Sequence, residues 1–314
     1  LAVMYRGEDS AGQLQGGPMY VITQGLGPKW KPFAIFFALA GLIGCLPLFQ
    51  TNQLVQTVRD VIFINQGLLD PKDTFEFNLL AGIVLAVIVS FVIFGGLKRI
   101  AMVASKLVPS MAVLYMGSAL FVIVTNFDKV PESFLLIFTD AFSGLAAAGG
   151  AIGTVIATGV RRGAFSNEAG IGTEALAHGA VKTNEPVREG LVAMVGPIID
   201  TLLVCTSTAM VILISGVWQG NDSNGVTMTA EAFSTMMPTF GIYILMACIF
   251  CFSVSTIFTY SYYGTKCFGF LFGAHRQYLY NYFLIVMTVF AAIMSLDAMA
   301  VSYTHLRAHE TDSY

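Results

Sequence analysis

Apolar residues run along this chain in seven long blocks: Phe33–Val55, Phe77–Leu97, Leu107–Thr125, Phe134–Val160, Leu191–Val217, Thr239–Tyr262 and Tyr280–Ser295. A helix needs about 20 apolar residues to cross the hydrocarbon core of a bilayer. Each block therefore predicts a membrane-spanning helix. Polar links containing glycine separate the blocks, and Gly220–Gly225 (GNDSNG) is the clearest exposed turn. Pro32, Pro109 and Pro238 stand at or near helix starts, where a missing N–H costs least. The fourth block is too long for one simple crossing and is interrupted by glycines. The pattern predicts an all-α, polytopic integral membrane protein.

Composition narrows the class. Of 314 residues, 56% are hydrophobic and 11% charged, with a mean hydropathy of +0.73. A soluble domain carries roughly 25% charge. The net charge of -3 and pI near 5.8 leave no electrostatic footprint for nucleic acid. Disorder and collagen-like fibres are excluded on the same numbers. The five cysteines lie mostly in apolar runs, which argues against a disulfide framework. Cys248 and Cys251 form a C-x-x-C without a second pair, and read as two small helix residues. No H-E-x-x-H, G-x-S-x-G or Walker loop is present, so the common hydrolase and NTPase signatures are missing.

Charge also orients the chain. Alternate links carry Arg6, Lys29 and Lys31, then Lys98, Arg99 and Lys106, then Arg161, Arg162, Lys182 and Arg188, then Lys266 and Arg276. The other links carry only Arg59, Lys72 and Lys129. Basic residues concentrate on the cytoplasmic side. The residues before Phe33 are therefore expected in the cytoplasm and Gly220–Gly225 outside.

The polar residues inside the blocks are the candidates for function. In the fourth block, Asp140 leads into a small-residue tract, Ser143 to Thr154, with Gly144, Gly149, Gly150 and Gly153. Glycine costs about 1 kcal/mol in a helix interior. Such a cluster suggests an unwound section, of the kind that builds substrate and ion sites in secondary transporters. Tight packing through the Gly149–Gly153 G-x-x-x-G is the alternative. Asp140 and Asp200 are acids within spans, where charge is expensive. Cation or proton coupling and structural hydrogen bonding are both open for them. Gln50, Thr51, Asn52 and Gln53, after Pro47, either face a cavity or gate, or end a helix at the interface. Ser253, Ser255, Thr256 and Thr259 lie in an otherwise apolar helix. Ser255 and Thr256 could ligate a small hard cation such as sodium, or bond back to helix carbonyls.

Four stretches carry a family resemblance: Phe165–Leu213 (FSNEAGIGTEALAHGAVKTNEPVREGLVAMVGPIIDTLLVCTSTAMVIL), Gly16–Gly27 (GGPMYVITQGLG), Gly95–Pro109 (GGLKRIAMVASKLVP) and Ser261–Gly264 (SYYG). Together they resemble the sodium:alanine (amino acid:cation) symporter family. The resemblance implies the leucine-transporter fold, with two inverted five-helix repeats. It implies sodium-coupled import of a small neutral amino acid, alanine or glycine, through a bacterial inner membrane. Such a protein is a multi-pass monomer, uses Na+ as coupling ion and no cofactor, and is not an enzyme. The seven blocks would be the third to ninth core helices. The glycine tract then falls on the discontinuous sixth helix, and Gly149, Gly150, Ala151, Gly153 and Thr154 become the substrate-binding residues. Ser255 and Thr256 fall on the eighth helix as sodium ligands. Asn167 and Glu168, in the Ser166–Gly170 loop, join Asp140, Asp200, Gln50 and Asn52 as gating or coupling residues.

The chain departs from the family pattern in two ways. The tract before Asn167 is shorter than in many members, and Ala151 stands where an aromatic is common. The first core helix, with the other half of the site, and the helices after the ninth are expected to be missing. Residues 1–300 thus read as part of one transport domain. Val301–Tyr314 does not resemble the family and back-translates into a transposase sequencing adapter, so it is expected to be non-native. Proton coupling within the same fold and an inactive fragment are the nearest rival readings. A channel or an intramembrane enzyme pairing Asp140 with Asp200 stands further off.

Overall fold

The computed structural model describes residues 1–64, 66–70, 74–141, 168, 172–219 and 225–294. These are mostly helical. Five helical stretches among them are long and apolar enough to cross a membrane: Pro28–Ile64, Phe75–Ile93, Gly96–Thr125, Pro186–Ser215 and Gly241–Phe272. Two expected spans are described only in part or fall short. The fourth block appears as Val130–Ala141, and the rest lies outside the described residues. The last is a helix of 16 residues, Tyr278–Ile293.

We label the helices used below α1 (Lys31–Gly44), α2 (Leu48–Val58), α3 (Phe75–Ile93), α4 (Gly96–Thr125), α5 (Val130–Ala141), α6 (Glu174–Gly179), α7 (Pro186–Pro197), α8 (Thr206–Ser215), α9 (Val226–Met236), α10 (Gly241–Phe272) and α11 (Tyr278–Ile293). Only 17% of the apolar window of α4 is buried within the chain. Val113 on α4 is 75% exposed, and Phe91 on α3 is 71% exposed. Surfaces this apolar are stable only against lipid.

The basic link expected between the second and third blocks is helical. α4 starts at Gly96, and Lys98, Arg99 and Lys106 lie exposed on its first turns. Lys and Arg are good helix formers, and their methylene stems can lie along apolar surface while the charged heads reach water. The turn is confined to Phe94–Gly95, with Gly96 at φ +70°. Arg99 donates to the Phe91 carbonyl at 2.7 Å, satisfying one of the acceptors that the end of α3 leaves free.

The residues group into two compact units. One comprises residues 38–111 and those from 246 on. Its core is built from Leu54 of α2, Leu85, Val89 and Ile93 of α3, Val254, Ile257 and Phe258 of α10, and Tyr280 and Leu284 of α11. α11 lies along α2 and α3. A Cβ at Gly82 would come 2.7 Å from the Ala292 Cβ, so the absence of a side chain sets the approach of α3 to α11. Gly264 of α10 is likewise filled by the Tyr280 ring.

Between α1 and α2 the first span breaks. Pro47 has no N–H to donate back along the helix, and Leu46 turns tightly to Ile43 instead. The Tyr280 hydroxyl sits 3.2 Å from the Leu42 carbonyl and 3.3 Å from that of Cys45. It shares its one proton between the two acceptors that the break frees.

The other unit comprises residues 1–37 and 112–245. Its amino-terminal segment forms a small hairpin, Gly7–Glu8 against Leu14–Gln15, closed by Asp9, whose carboxylate accepts from the Ala11 and Gln13 amides. Gly16 lies against Gly179, where a Cβ on either would come 2.6 Å from the other's Cα. Arg6 donates to the carbonyls of Gly179, Val181 and Thr183, capping the end of α6 and the turn after it. α7 continues through Pro197 into a π-helical stretch, Ile198–Cys205, and then α8. Gly216, at φ +73°, ends the run. α9, a helix not anticipated from the apolar blocks, packs on α8 and buries Ala230, Ala232 and Phe233, the last with its ring 5.8 Å from that of Tyr115.

Candidate functional site

The polar start of α2 carries the clearest site chemistry. α2 opens directly after the break, so its first turn presents Gln50, Thr51 and Asn52 inside an apolar surround. Thr51 is fully buried and Asn52 is 5% exposed. Gln50 Oε1, Thr51 Oγ1 and Asn52 Oδ1 are all sealed from solvent without a hydrogen-bond partner among the described residues. Each is an acceptor, and a buried acceptor without a donor costs about 1–3 kcal/mol. Such atoms are suited to an ammonium group, a cation or a water. Asn52 has a second role. Its Nδ2 donates to the carbonyls of Ala291 (3.1 Å) and Met294 (2.7 Å), tying α2 to the last turn of α11.

Ser255 and Thr256 sit mid-way along α10, Ser255 buried and Thr256 partly so. Both hydroxyls donate to the same Phe252 carbonyl at 2.9 Å, and the Thr259 hydroxyl donates to Ser255 O at 3.0 Å. Back-bonding consumes their protons and leaves lone pairs on both oxygens. Both oxygens therefore remain able to accept.

The remaining candidates divide. Gly149, Gly150, Ala151, Gly153, Thr154 and Asn167 lie outside the described residues. Asp140 falls in the last turn of α5. Asp200 is partly buried in the π-helical stretch after Pro197, where widened backbone geometry is common at functional sites. Glu168 is partly buried and its carbonyl accepts from the Gly172 amide at 3.0 Å. Gln50, Asn52, Ser255 and Thr256 thus share one compact unit. Asp140, Glu168 and Asp200 belong to the other.

Sequence reasoning missed a cluster around His178. This histidine lies on α6. Its Nδ1 is 2.5 Å from Glu189 Oε1 on α7 and its Nε2 is 3.0 Å from Glu174 Oε1 on its own helix. Burial pushes the imidazole pKa down, but hydrogen bonds and charge from the two carboxylates outweigh it, and the net shift is upward from 6.5. The E-x-x-x-H spacing of Glu174 and His178 is the signal that places both on one helix face.

Comparison with known proteins follows this geometry. The sodium:alanine symporter family model matches residues 1–303. An uncharacterized transporter of Haemophilus influenzae is 38% identical over 305 residues, covering 95% of this chain and 64% of the relative. The sodium/alanine symporter AgcS of Methanococcus maripaludis is 38% identical over 301 residues, covering 94% and 64%. A sodium/proton-dependent alanine carrier protein of Bacillus sp. PS3 is 34% identical over 252 residues, covering 76% and 53%. The chain therefore spans less than two thirds of the length of these curated relatives. With apolar spans and a family match along nearly its whole length, this membrane protein belongs to the sodium:alanine symporter family, a family of transporters and not of enzymes.

Proposed function

We propose that the protein is a secondary transporter that imports a small neutral amino acid, alanine or glycine, together with sodium across a bacterial inner membrane. The family match over residues 1–303 carries this reading. The orphaned acceptors of Gln50, Thr51 and Asn52 and the paired hydroxyls of Ser255 and Thr256 support it chemically.

In this reading Ser255 and Thr256 present their lone pairs to sodium. The tract Gly149, Gly150, Ala151, Gly153 and Thr154 receives the substrate, its backbone amides meeting the carboxylate as half-helix N-termini do in secondary transporters. Gln50, Asn52, Asp140, Asn167, Glu168 and Asp200 gate or couple. The fold is of the leucine-transporter type, with the seven blocks as its third to ninth helices and the protein acting as a monomer. Access alternates as one rigid group of helices moves against another. Coupling arises because sodium and amino acid favour the same state, so each tightens the other.

Radiolabelled alanine uptake by the product of the complete reading frame, reconstituted in proteoliposomes, tests this. Uptake should rise steeply with an inward sodium gradient. Equal uptake with and without the gradient would overturn sodium coupling. A proton gradient is the second arm, since one relative is named a sodium/proton-dependent carrier.

A further inference from the structure

We propose that Glu174, His178 and Glu189 form a proton-operated clasp. With the imidazole protonated it fixes α6 to the first turn of α7; when the proton leaves, the two elements are released and transport rate changes with them. The inference goes beyond the transport reading, because no part of that reading uses these side chains.

The argument starts from donor counting. An imidazole has two nitrogens, and here each faces a carboxylate oxygen at hydrogen-bond distance. An ionised carboxylate only accepts, so both contacts are made as hydrogen bonds only when both nitrogens carry protons. A neutral imidazole satisfies one carboxylate and turns a lone pair toward the other. Loss of one proton thus replaces an attractive contact by a repulsive one. The side chains are 24%, 23% and 12% exposed for Glu174, His178 and Glu189, so water screens the contacts only in part.

The location makes the contact consequential. Glu174 and His178 stand on α6, while Glu189 stands on α7, at the mouth of the run that crosses the membrane. Only the turn 180–185 joins the two helices covalently. Among the described residues, the other groups around the imidazole are as follows. Leu1, Ala2, Val3 and Ala175 line the same recess and bring no charged side chain to it. Pro186, Gly190 and Ala193 of α7 complete it without charge. Arg6 is occupied by the carbonyls of Gly179, Val181 and Thr183. Lys182 is exposed in the turn, and Arg188 lies 3.8 Å from Glu185, both of them exposed.

The sign follows from linkage. A histidine whose folded pKa lies above its ordinary value of 6.5 lends stability that is fully present below 6.5 and is lost as pH rises through the raised value. The clasp is therefore closed in acid and opens toward alkaline pH.

The test is hydrogen exchange by mass spectrometry on the protein from its complete reading frame, in detergent, across pH 6–9 and corrected for intrinsic exchange. Protection of residues 174–183 should fall about tenfold with rising pH, as expected for loss of one charge-assisted bond. Glu189→Gln, which keeps the shape and removes the charge, should move that midpoint to lower pH. His178→Asn should abolish the transition. A pH-independent protection, or a transition unchanged in both variants, would overturn the clasp. Uptake measured in parallel tests the regulatory half, which rests on the transport reading. Its pH midpoint should move with that of exchange in Glu189→Gln, and an unmoved uptake midpoint would overturn regulation. Exchange needs no substrate, so failure of the clasp and failure of the transport assignment are told apart.

Discussion

Asn52 shows how one side chain can serve both packing and chemistry. Its amide N–H groups hold two carbonyls at the end of α11, while its Oδ1 is buried without a partner among the described residues. Asn52→Ala should lower stability by about 1–3 kcal/mol, because two buried carbonyls lose their donor. The check is the melting temperature of the purified protein in detergent. Ser255 and Thr256 should behave differently. Ser255→Ala and Thr256→Ala each remove a lone-pair donor but leave the helix ladder intact. They should leave the melting temperature nearly unchanged and raise the sodium concentration for half-maximal uptake about tenfold, as one lost ligand contact predicts. The hydroxyl pair was legible in the sequence because Ser255 and Thr256 are adjacent, flanked by Ser253 and Thr259, in an otherwise apolar run. The second role of Asn52 was not, since its partners are backbone carbonyls more than 200 positions away.

Helices here are placed by what their glycines leave out. Gly264 of α10 is occupied by the Tyr280 ring, whereas a Cβ at Gly117 of α4 would meet nothing within 4 Å among the described residues. Gly264→Ala should abolish or sharply reduce the yield of folded protein, while Gly117→Ala should be neutral or slightly stabilising. Fluorescence-detected size exclusion of the two variants side by side measures this. Tyr280→Phe keeps the ring and removes the hydroxyl that serves the carbonyls of Leu42 and Cys45. It should cost about 1–2 kcal/mol, read as a lower melting temperature. The apolar blocks exposed the existence of the long helices, because bilayer thickness fixes their length. They misplaced the start of α4, since Lys98 and Arg99 look like loop residues until their snorkelling is considered. They missed α9, whose short apolar face shows no block. They could not show the π-helical stretch after Pro197, which depends on backbone geometry that residue types only hint at.

For the molecule as a whole, family membership was readable because long motifs such as Phe165–Leu213 survive in order, and the match to residues 1–303 agrees. The organisation into two compact units was not readable, because each combines segments far apart in sequence. Reconstituted protein should accumulate alanine against its gradient when sodium is high outside, and should stop when the sodium gradient is collapsed by an ionophore. Scintillation counting of vesicles measures both.

The break in the first span sets a schedule for biogenesis. Tyr280 lies 235 residues downstream of Cys45, and the ribosome adds about 5–20 residues per second. The freed carbonyls of Leu42 and Cys45 therefore enter the membrane roughly 12–50 s before their phenol is synthesised. During that interval neither carbonyl has the Tyr280 hydroxyl as a donor. A nascent chain stopped short of α11 should remain bound at the translocon, and insertion of the last described helix completes the first.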